Sequence, residues 1–375
     1  MGINLVTGGT GHLGISLIHW ILERDNTVTL LVRSNSLKKF GGFHGIVRAV
    51  KSCGSDYPTD WIEQHINIVV GDIAKPRLGL AQREYQELSR KTTAIYHLAA
   101  LLDLTAPWEL LQDVNIEGTR HVLDFGLACV DRAEFLGLYH ISTFAVAGTA
   151  TGTFYETDLD CGQQFNNHYE RSKFEAERLI AAYREKGLCI SIFRPSIIVG
   201  DSRTGETRSF ETLYKPLHFL SLGLFDQIPA RGSTKLNLAP VDSVAEAIHR
   251  IVEKNEAKNL TYHLINNQEI TCEFLIKVAS RYFGFREPVL IPTDQFDHAQ
   301  LKGFRRKLLS PYLPYLNRDG TTWDATNAQN ALREPSFSWP IIDECLLERL
   351  FDYCIKVGYI RTADGDSLVK PNKLD

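Results

Sequence analysis

A glycine-rich turn, Val6-Thr7-Gly8-Gly9-Thr10-Gly11-His12-Leu13-Gly14, constrains this chain more than any other stretch. It follows the apolar run Ile3 to Val6 and opens a segment whose apolar residues Leu13, Leu17, Ile18, Ile21 and Leu22 recur at helical spacing. Strand, glycine turn and helix in that order predict a dinucleotide-binding βα unit. Gly8 allows the tight turn, Gly11 lets the backbone approach a pyrophosphate, and Gly14 permits close helix–strand packing. The helix N-terminus supplies N–H groups and a positive dipole end to the phosphates. Glycines also make ordinary turns; the flanking strand and helix give this one its meaning.

The next segments continue an alternating α/β pattern. Thr27 to Val32 reads as the second strand. An acidic residue that would hold the ribose hydroxyls of NAD should end it. The chain instead reads Arg33-Ser34-Asn35-Ser36, with Lys38 and Lys39 close behind. A guanidinium there suits a 2′-phosphate, which favours NADP over NAD; otherwise Arg33 is a solvated arginine at a strand end. Ile66 to Val70 forms a third strand and ends in Gly71-Asp72-Ile73, where Asp72 either caps the turn or accepts from the adenine amino group. Thr93 to Leu98 is the fourth, running into Leu98-Ala99-Ala100, small enough for a cofactor to lie against the backbone. Asn115 opens a helix and is a candidate to hold a water or a lysine.

Phe135 to Ser142 gives a fifth strand with Ser142 and Thr143 at its end. Ligands sit off the carboxyl ends of strands in open α/β sheets, so these hydroxyls are placed for chemistry, although Ser and Thr are also ordinary turn residues. Tyr169 and Lys173 then stand at i and i+4 in a run of strong helix formers. A phenol has an ordinary pKa of about 10. An adjacent ammonium favours the phenolate and makes the pair a usable general acid/base.

Together these residues resemble the extended short-chain dehydrogenase/reductase family: the turn from Thr7 to Gly14, Thr143, and Tyr169 with Lys173. Two more segments fit. Phe193-Arg194-Pro195-Ser196-Ile197-Ile198-Val199-Gly200 is similar to the stretch beside the nicotinamide, and Pro240-Val241-Asp242-Ser243-Val244-Ala245-Glu246-Ala247 to the entry of a C-terminal helix. The likeness covers about residues 3 to 265. Within the family, Gly71-Asp72-Ile73 with Leu78-Gly79-Leu80, and Tyr169 to Glu177, look most like the thioester-reductase and fatty-acyl-CoA-reductase branch. The chain differs from many members of that branch in showing no adenylation, carrier or membrane segment. The strand-end position, commonly Ser in the wider family, is Thr143, with Ser142 as the neighbouring alternative.

The resemblance implies a Rossmann-type doubly wound parallel α/β sheet with a smaller, mainly helical C-terminal substrate lobe. It places an NADP domain at 1–205, with return elements near 230–265, and a lobe at 206–229 and 266–375. It implies catalysis by Thr143, Tyr169 and Lys173, and NADP(H) held by Thr7, Gly8, Thr10, Gly11, His12, Leu13, Gly14, Arg33, Asp72, Ile73, Leu98, Ala99, Ala100, Asn115, Tyr169, Lys173, Pro195 and Ile198. The expected reaction is NADPH-dependent reduction of an acyl thioester, on coenzyme A or a carrier protein, to an aldehyde or alcohol. The alternatives are a sugar-nucleotide epimerase or dehydratase, a hydroxysteroid-type dehydrogenase, and a silent NADP-binding scaffold. Many relatives pair through the Tyr-Lys helix, so a homodimer is an expectation.

The rest of the chain narrows the classes. A 44% hydrophobic and 23% charged composition suits a globular protein, and a net charge of −4 gives no reason to expect nucleic acid. No apolar run approaches the about 18 residues that span a bilayer, and the N-terminus lacks the features of a signal peptide, so the expectation is cytoplasmic. Seven scattered cysteines, with no C-x-x-C pair, read as thiols rather than disulfides or a metal site. Phe210 to Leu224 reads as a helix apolar nearly all round, either lobe core or the lining of a greasy channel. Turn signals at Pro311, Pro314, Pro335 and Pro340 follow, then a helix carrying Ile342, Leu346, Leu347, Leu350, Phe351 and Cys354. The residues from about Thr362 are polar and read as loose.

Overall fold

Seven parallel strands form the central sheet of the computed structural model: β1 (Ile3–Thr7), β2 (Thr27–Val32), β3 (Ile66–Val70), β4 (Thr92–His97), β5 (Gly137–Ile141), β6 (Ile190–Pro195) and β7 (Thr261–Leu264). The structure describes residues 2–362 apart from 24–25, 255–258, 298, 300, 319 and 334–335. Pro335 and the tail from 363 lie outside the described residues. The strand order is β7-β6-β5-β4-β1-β2-β3, so the direction of winding reverses beside β1, where the glycine turn leaves the sheet. That is the crevice where open parallel sheets bind ligands.

All the strands but the edge strand β3 are buried on both faces, and their side chains alternate between two cores. Val6, Leu30, Tyr96, Tyr139, Phe193 and Tyr262 face one core, built with α1 (His12–Leu22) and α5 (Val241–Glu253). Leu5, Leu31, Ile95, Leu138 and Ile192 face the other, built with α2 (Gly118–Leu127) and α3 (His168–Glu185). Near-continuous apolar strands follow from this two-sided burial. Fully burying each such side chain contributes about 1.5–3 kcal/mol.

A third core gathers α4 (Tyr214–Ser221), α6 (Cys272–Phe283) and α7 (Glu344–Lys356). The apolar stretch at 210–224 is helical only from Tyr214 to Ser221. Buried positions recur at Tyr214, Leu217 and Leu220, Leu222 is 57% exposed, and Gly223 takes φ 65° to end the segment. It is one-sided rather than apolar all round. Asn115 does not open a helix either: it lies in a π-turn, Gln112–Glu117, that continues a helix begun at Trp108 after Pro107.

Residues 321–332 fold back onto the sheet side of the molecule. Thr321–Trp323 pairs in parallel with Gly152–Phe154, and Ala325, Ala328 and Leu332 join the core around α1 and α5. Among the described residues no two cysteines form a disulfide, and no helix is long and apolar enough to cross a membrane.

Candidate active site

The glycine turn is built tightly. Gly8 sits at φ 74°, and a Cβ there would lie 2.6 Å from the Ala99 nitrogen; one on Gly14 would lie 2.3 Å from the Gly8 carbonyl oxygen. At Gly11 the nearest atom to an added Cβ is the Gly8 oxygen at 3.1 Å, leaving open space above the turn. No side chain caps α1 and no acidic residue stands in its first turn. Its first N–H groups are therefore left for an anion. The residues fit a dinucleotide pyrophosphate.

A relay of hydrogen bonds fixes the β4 exit against this turn. The Ala99 N–H donates to Thr7 Oγ1 (3.3 Å), which is 2.8 Å from His97 Nδ1. His97 Nε2 is 3.0 Å from Thr119 Oγ1, and that hydroxyl donates to the Asn115 carbonyl (2.7 Å). Because Thr119 spends its proton on a carbonyl, Nε2 must donate and Nδ1 accept from Thr7. Burial pushes His97 down to about 3, which keeps this neutral tautomer. Thr7 is fully buried, its hydroxyl spent here.

Asn115 extends the same lock. Its Oδ1 accepts from the Leu101 N–H (2.7 Å), and its Nδ2 donates to the Leu101 carbonyl and to Ser172 Oγ (2.9 Å). Its amide is committed to loop and helix and does not touch Lys173. That lysine donates to the Ile141 carbonyl (2.9 Å), with His140 Nε2 at 3.5 Å. The backbone at the end of β5, not Asn115, anchors the ammonium. Burial brings Lys173 down to about 8, partly offset by the Glu177 carboxylate one turn away.

Tyr169 and Thr143 stand together at the same strand end, both buried. Burial pushes the Tyr169 phenol well above its ordinary value, the Glu170 carboxylate adds to the rise, and the Thr143 hydroxyl beside it offsets part. The expected depression by Lys173 is absent here, because that ammonium is held by Ile141. Tyr169 is therefore a protonated donor. Thr143 Oγ1 accepts from the Ala145 N–H (3.2 Å), which leaves its proton free to donate.

One cavity of about 450 Å³ joins these parts. Gly8, Gly11, His12, Leu13 and Gly14 line it, as do Leu98, Ala100, Thr143, Tyr169, Lys173, Pro195 and Ile198. Thr7 and Asn115 are buried behind this wall, Thr10 and Ala99 are half-buried and outside the lining, and Arg33, Asp72 and Ile73 follow β2 and β3 beyond β1. Val32 and Val70 are register partners, which sets Arg33 opposite Gly71, one residue before Asp72, past the ends of β2 and β3. Arg33 is exposed; Asp72 Oδ1 accepts from the Ala74 N–H (3.1 Å), and its second oxygen has no hydrogen-bond partner among the described residues.

The far end of the cavity lies in the lobe, between Leu213, Leu217 and Leu220 on one side and Cys272, Leu275 and Ile276 on another. Leu309, Tyr312, Tyr315 and Leu316 close it. Leu213, Leu217 and Leu220 belong to the apolar stretch that the sequence offered as a channel lining, whereas Cys272, Leu275, Ile276, Leu309, Tyr312, Tyr315 and Leu316 escaped the sequence reading, the turn signals at Pro311 and Pro314 being the one trace of the last three. Arg208 was also missed. It lines the cavity, its N–H donates to His12 Nδ1 (3.3 Å), and its guanidinium lies 5.6 Å from the Phe40 ring centre. With Nδ1 accepting, His12 Nε2 donates to the Val199 carbonyl (3.1 Å), so the turn is pinned to the start of the lobe. Among the described residues no group of three or more His, Cys, Asp or Glu is arranged to hold a metal ion.

Comparison with known proteins matches residues 6–248 to the family described as Male sterility protein. A linear gramicidin synthase of Brevibacillus parabrevis is 27% identical over 96% of this chain, which spans 7% of that protein. Among solved structures, the terminal R domain from the myxalamid PKS-NRPS biosynthetic pathway superposes with a TM-score of 0.81 at 27% identity, covering 96% of this chain and 92% of that one. A thiolation-reductase di-domain from an archaeal non-ribosomal peptide synthetase gives 0.73 at 20% identity, covering 96% and 76%. A UDP-glucose 4-epimerase from Thermotoga maritima shares the fold more distantly, at 0.63 and 15%, over 94% of this chain and 98% of that one.

Proposed function

This chain belongs to the Male sterility protein family of NAD-binding domains, and on that premise we propose that it reduces acyl thioesters with NADPH. The observation that carries the reading is the single cavity, polar where the glycine turn and Tyr169 face it and apolar where the lobe does. Beyond Arg208, no lobe residue lining it carries a charged side chain. Against this mainly aliphatic wall, whose hydroxyls are those of Ser209, Thr212, Tyr312 and Tyr315, a sugar nucleotide would leave most of its own hydroxyls unpaired, at a cost that an acyl chain does not meet. The similarity to an R domain and to a peptide synthase points the same way.

Bound, the nicotinamide supplies the hydride. The chain's own residues do the rest. Thr143 and Tyr169 donate to the thioester carbonyl oxygen and stabilise the oxyanion that develops when its carbon gains a hydride. When that oxyanion collapses, the C–S bond breaks, the sulfur leaves as a thiolate that takes up a proton from solvent, and an aldehyde remains. If the aldehyde is reduced further, Tyr169 gives its phenolic proton to the oxygen. Lys173, held by the Ile141 carbonyl rather than by the phenol, would offer its remaining N–H groups to the nicotinamide ribose. The cofactor domain comprises 1–205 with the return elements near 230–265. The lobe comprises 206–229 and 266–375, with 321–332 resting on the cofactor domain.

Arg33 supports the choice of NADPH. It is exposed at the end of β2, and its side chain forms no hydrogen bond or ion pair with the described residues. Arg33→Ala should remove one or two charge-assisted bonds to a 2′-phosphate, about 1.5–3 kcal/mol each. NADPH binding should weaken accordingly while NADH binding barely moves, and fluorescence titration reads both. Equal weakening of the two cofactors would place Arg33 elsewhere.

The substrate reading is tested with a series of acyl thioesters differing in chain length. Each methylene buried in the lobe should contribute up to about 0.8 kcal/mol, so kcat/KM should climb about threefold to fourfold per carbon until the cavity is full. A flat profile would contradict an acyl channel.

A further inference from the structure

Among the described residues, no carboxylate lines the cavity. The charged side chains that reach it are both cations, Lys173 at the end of β5 and Arg208 at the start of the lobe. Lys173 is held by the Ile141 carbonyl (2.9 Å). Arg208 stands beside the glycine turn, and that turn brings no cation of its own. From Thr7 to Gly14 the one basic side chain is His12, which burial brings down to about 4, so it is neutral. A dinucleotide's pyrophosphate is a dianion, and a helix N-terminus offsets only about half an elementary charge. Arg208 is the side chain placed to offset more.

The root of this arginine is fixed and its head is not. The Arg208 N–H donates to His12 Nδ1 (3.3 Å), on the first residue of α1. The loop before it is tied to both parts of the molecule. Ser202 gives its N–H and its hydroxyl to Asp242 on α5 (2.8 and 2.6 Å), and Arg349 on α7 donates to the Ser202 carbonyl. Arg203, on the same loop, is committed to Asp201 and the Cys53 carbonyl and does not line the cavity. The Arg208 guanidinium is 28% exposed and pairs with Glu206 (2.7 Å), itself 32% exposed and outside the cavity lining. Open ion pairs of this kind contribute little, so an anion in the cavity can take the place of Glu206 at small cost. The Phe40 ring, 5.6 Å away, supports the cation from the side of the cofactor domain.

We propose that Arg208 is a ligand of the cofactor's pyrophosphate, reaching it from the lobe side of the glycine turn, so that a bound dinucleotide fastens the lobe to the cofactor domain. This rests on the dinucleotide site at that turn and does not depend on which carbonyl is reduced. The guanidinium exchanges Glu206 for phosphate oxygens, while the N–H groups that open α1 hold the same group from the other side. Arg33 and Arg208 thereby divide the charge of the cofactor. The first serves the 2′-phosphate that NADPH alone carries, and the second serves the pyrophosphate common to both dinucleotides. The diphosphate of coenzyme A, arriving with a substrate, is the rival source of the same chemistry.

The test measures, by calorimetry on the full chain, the binding of NADPH, NADH, ADP-ribose and adenosine 2′-monophosphate. ADP-ribose carries the pyrophosphate without the 2′-phosphate, and the monophosphate carries the 2′-phosphate without the pyrophosphate. Arg208→Gln should weaken NADPH, NADH and ADP-ribose by one common factor of about tenfold or more, the loss expected for a charge-assisted hydrogen bond. It should leave the monophosphate as in wild type. Arg208→Lys, which keeps the charge, should recover most of the loss, and Glu206→Gln, which frees the guanidinium, should weaken none of the four. A loss confined to NADPH and the monophosphate moves Arg208 to the 2′-phosphate and overturns the proposal. An equal loss in Glu206→Gln also overturns it, because the effect then belongs to the fold of the loop. Unchanged binding of all four overturns it as well. If KM then rises for octanoyl-coenzyme A and not for octanoyl-N-acetylcysteamine, the cation serves the diphosphate of the substrate. A wild type that binds no dinucleotide ends the dinucleotide reading and the proposal with it. A wild type that binds NADPH and reduces no thioester ends only the thioester reading, and the Arg208 result stands.

Discussion

Tyr169→Phe should lower kcat by about 10² to 10⁴ while leaving cofactor affinity near that of wild type. The substitution keeps the ring, which is buried against Leu111 and Ala106, and removes only the proton donor. It leaves the glycine turn and Arg33 untouched. The size of the fall depends on what remains, and Thr143 still offers a hydroxyl to the carbonyl oxygen. The loss should therefore be steeper for an aldehyde, whose oxygen must receive a proton, than for a thioester, whose oxyanion expels the thiol. Stopped-flow hydride transfer with both substrates, beside a cofactor titration, reads the difference. Wild-type turnover in the Tyr169→Phe protein would remove the phenol from the mechanism.

Glu177→Ala should cost about 3–5 kcal/mol of stability, the largest effect expected of any single change away from the cavity. Arg194 is 2% exposed and Glu177 1%. The guanidinium gives Nε to Oε1 at 3.0 Å and Nη2 to Oε2 at 2.7 Å, and its remaining donors reach His263 Nε2 and the Asp158 carbonyl. Removing the carboxylate strands a buried cation, while removing both partners does not, so Glu177→Leu with Arg194→Met should recover most of the loss. A melting temperature lower by on the order of 10 °C for the single variant is the readout. The same change has a second signature. The Glu177 carboxylate holds Lys173 up against burial. Without it the lysine loses its proton at lower pH, so activity that depends on the ammonium should fall earlier as pH rises. An unchanged melting curve would show that the pair contributes little.

The parts of the fold set by local sequence were the parts legible in advance. β1, the turn and α1 follow from glycine stereochemistry and from apolar residues at two distinct spacings. Tyr169 and Lys173 were readable because their helix runs on without a break from the Asn167 cap, whose side chain accepts from the Glu170 N–H. The strand pairs outside the main sheet, such as Gln227–Pro229 with Val289–Ile291, are two or three residues long and carry no periodicity to read. Asn115 misled because an amide beside a catalytic-looking lysine has several possible partners, and only the fold shows that Leu101 and Ser172 take them. Tyr169 misled in another way: i and i+4 spacing brings two side chains to one face, but Lys173 reaches past the phenol to Ile141. The lobe wall draws residues from 213 to 316, and no local pattern links Leu217 to Cys272 or Leu309.

The central claim is that one cavity reduces a thioester at the expense of NADPH. The direct measurement incubates the protein with NADPH and octanoyl-N-acetylcysteamine, following NADPH absorbance, released thiol and organic product together. One thiol should appear for each octanoyl group reduced, with one NADPH consumed if octanal accumulates and two if octanol does. Consumption of NADPH with a ketone or sugar nucleotide, and none with any thioester, would contradict it.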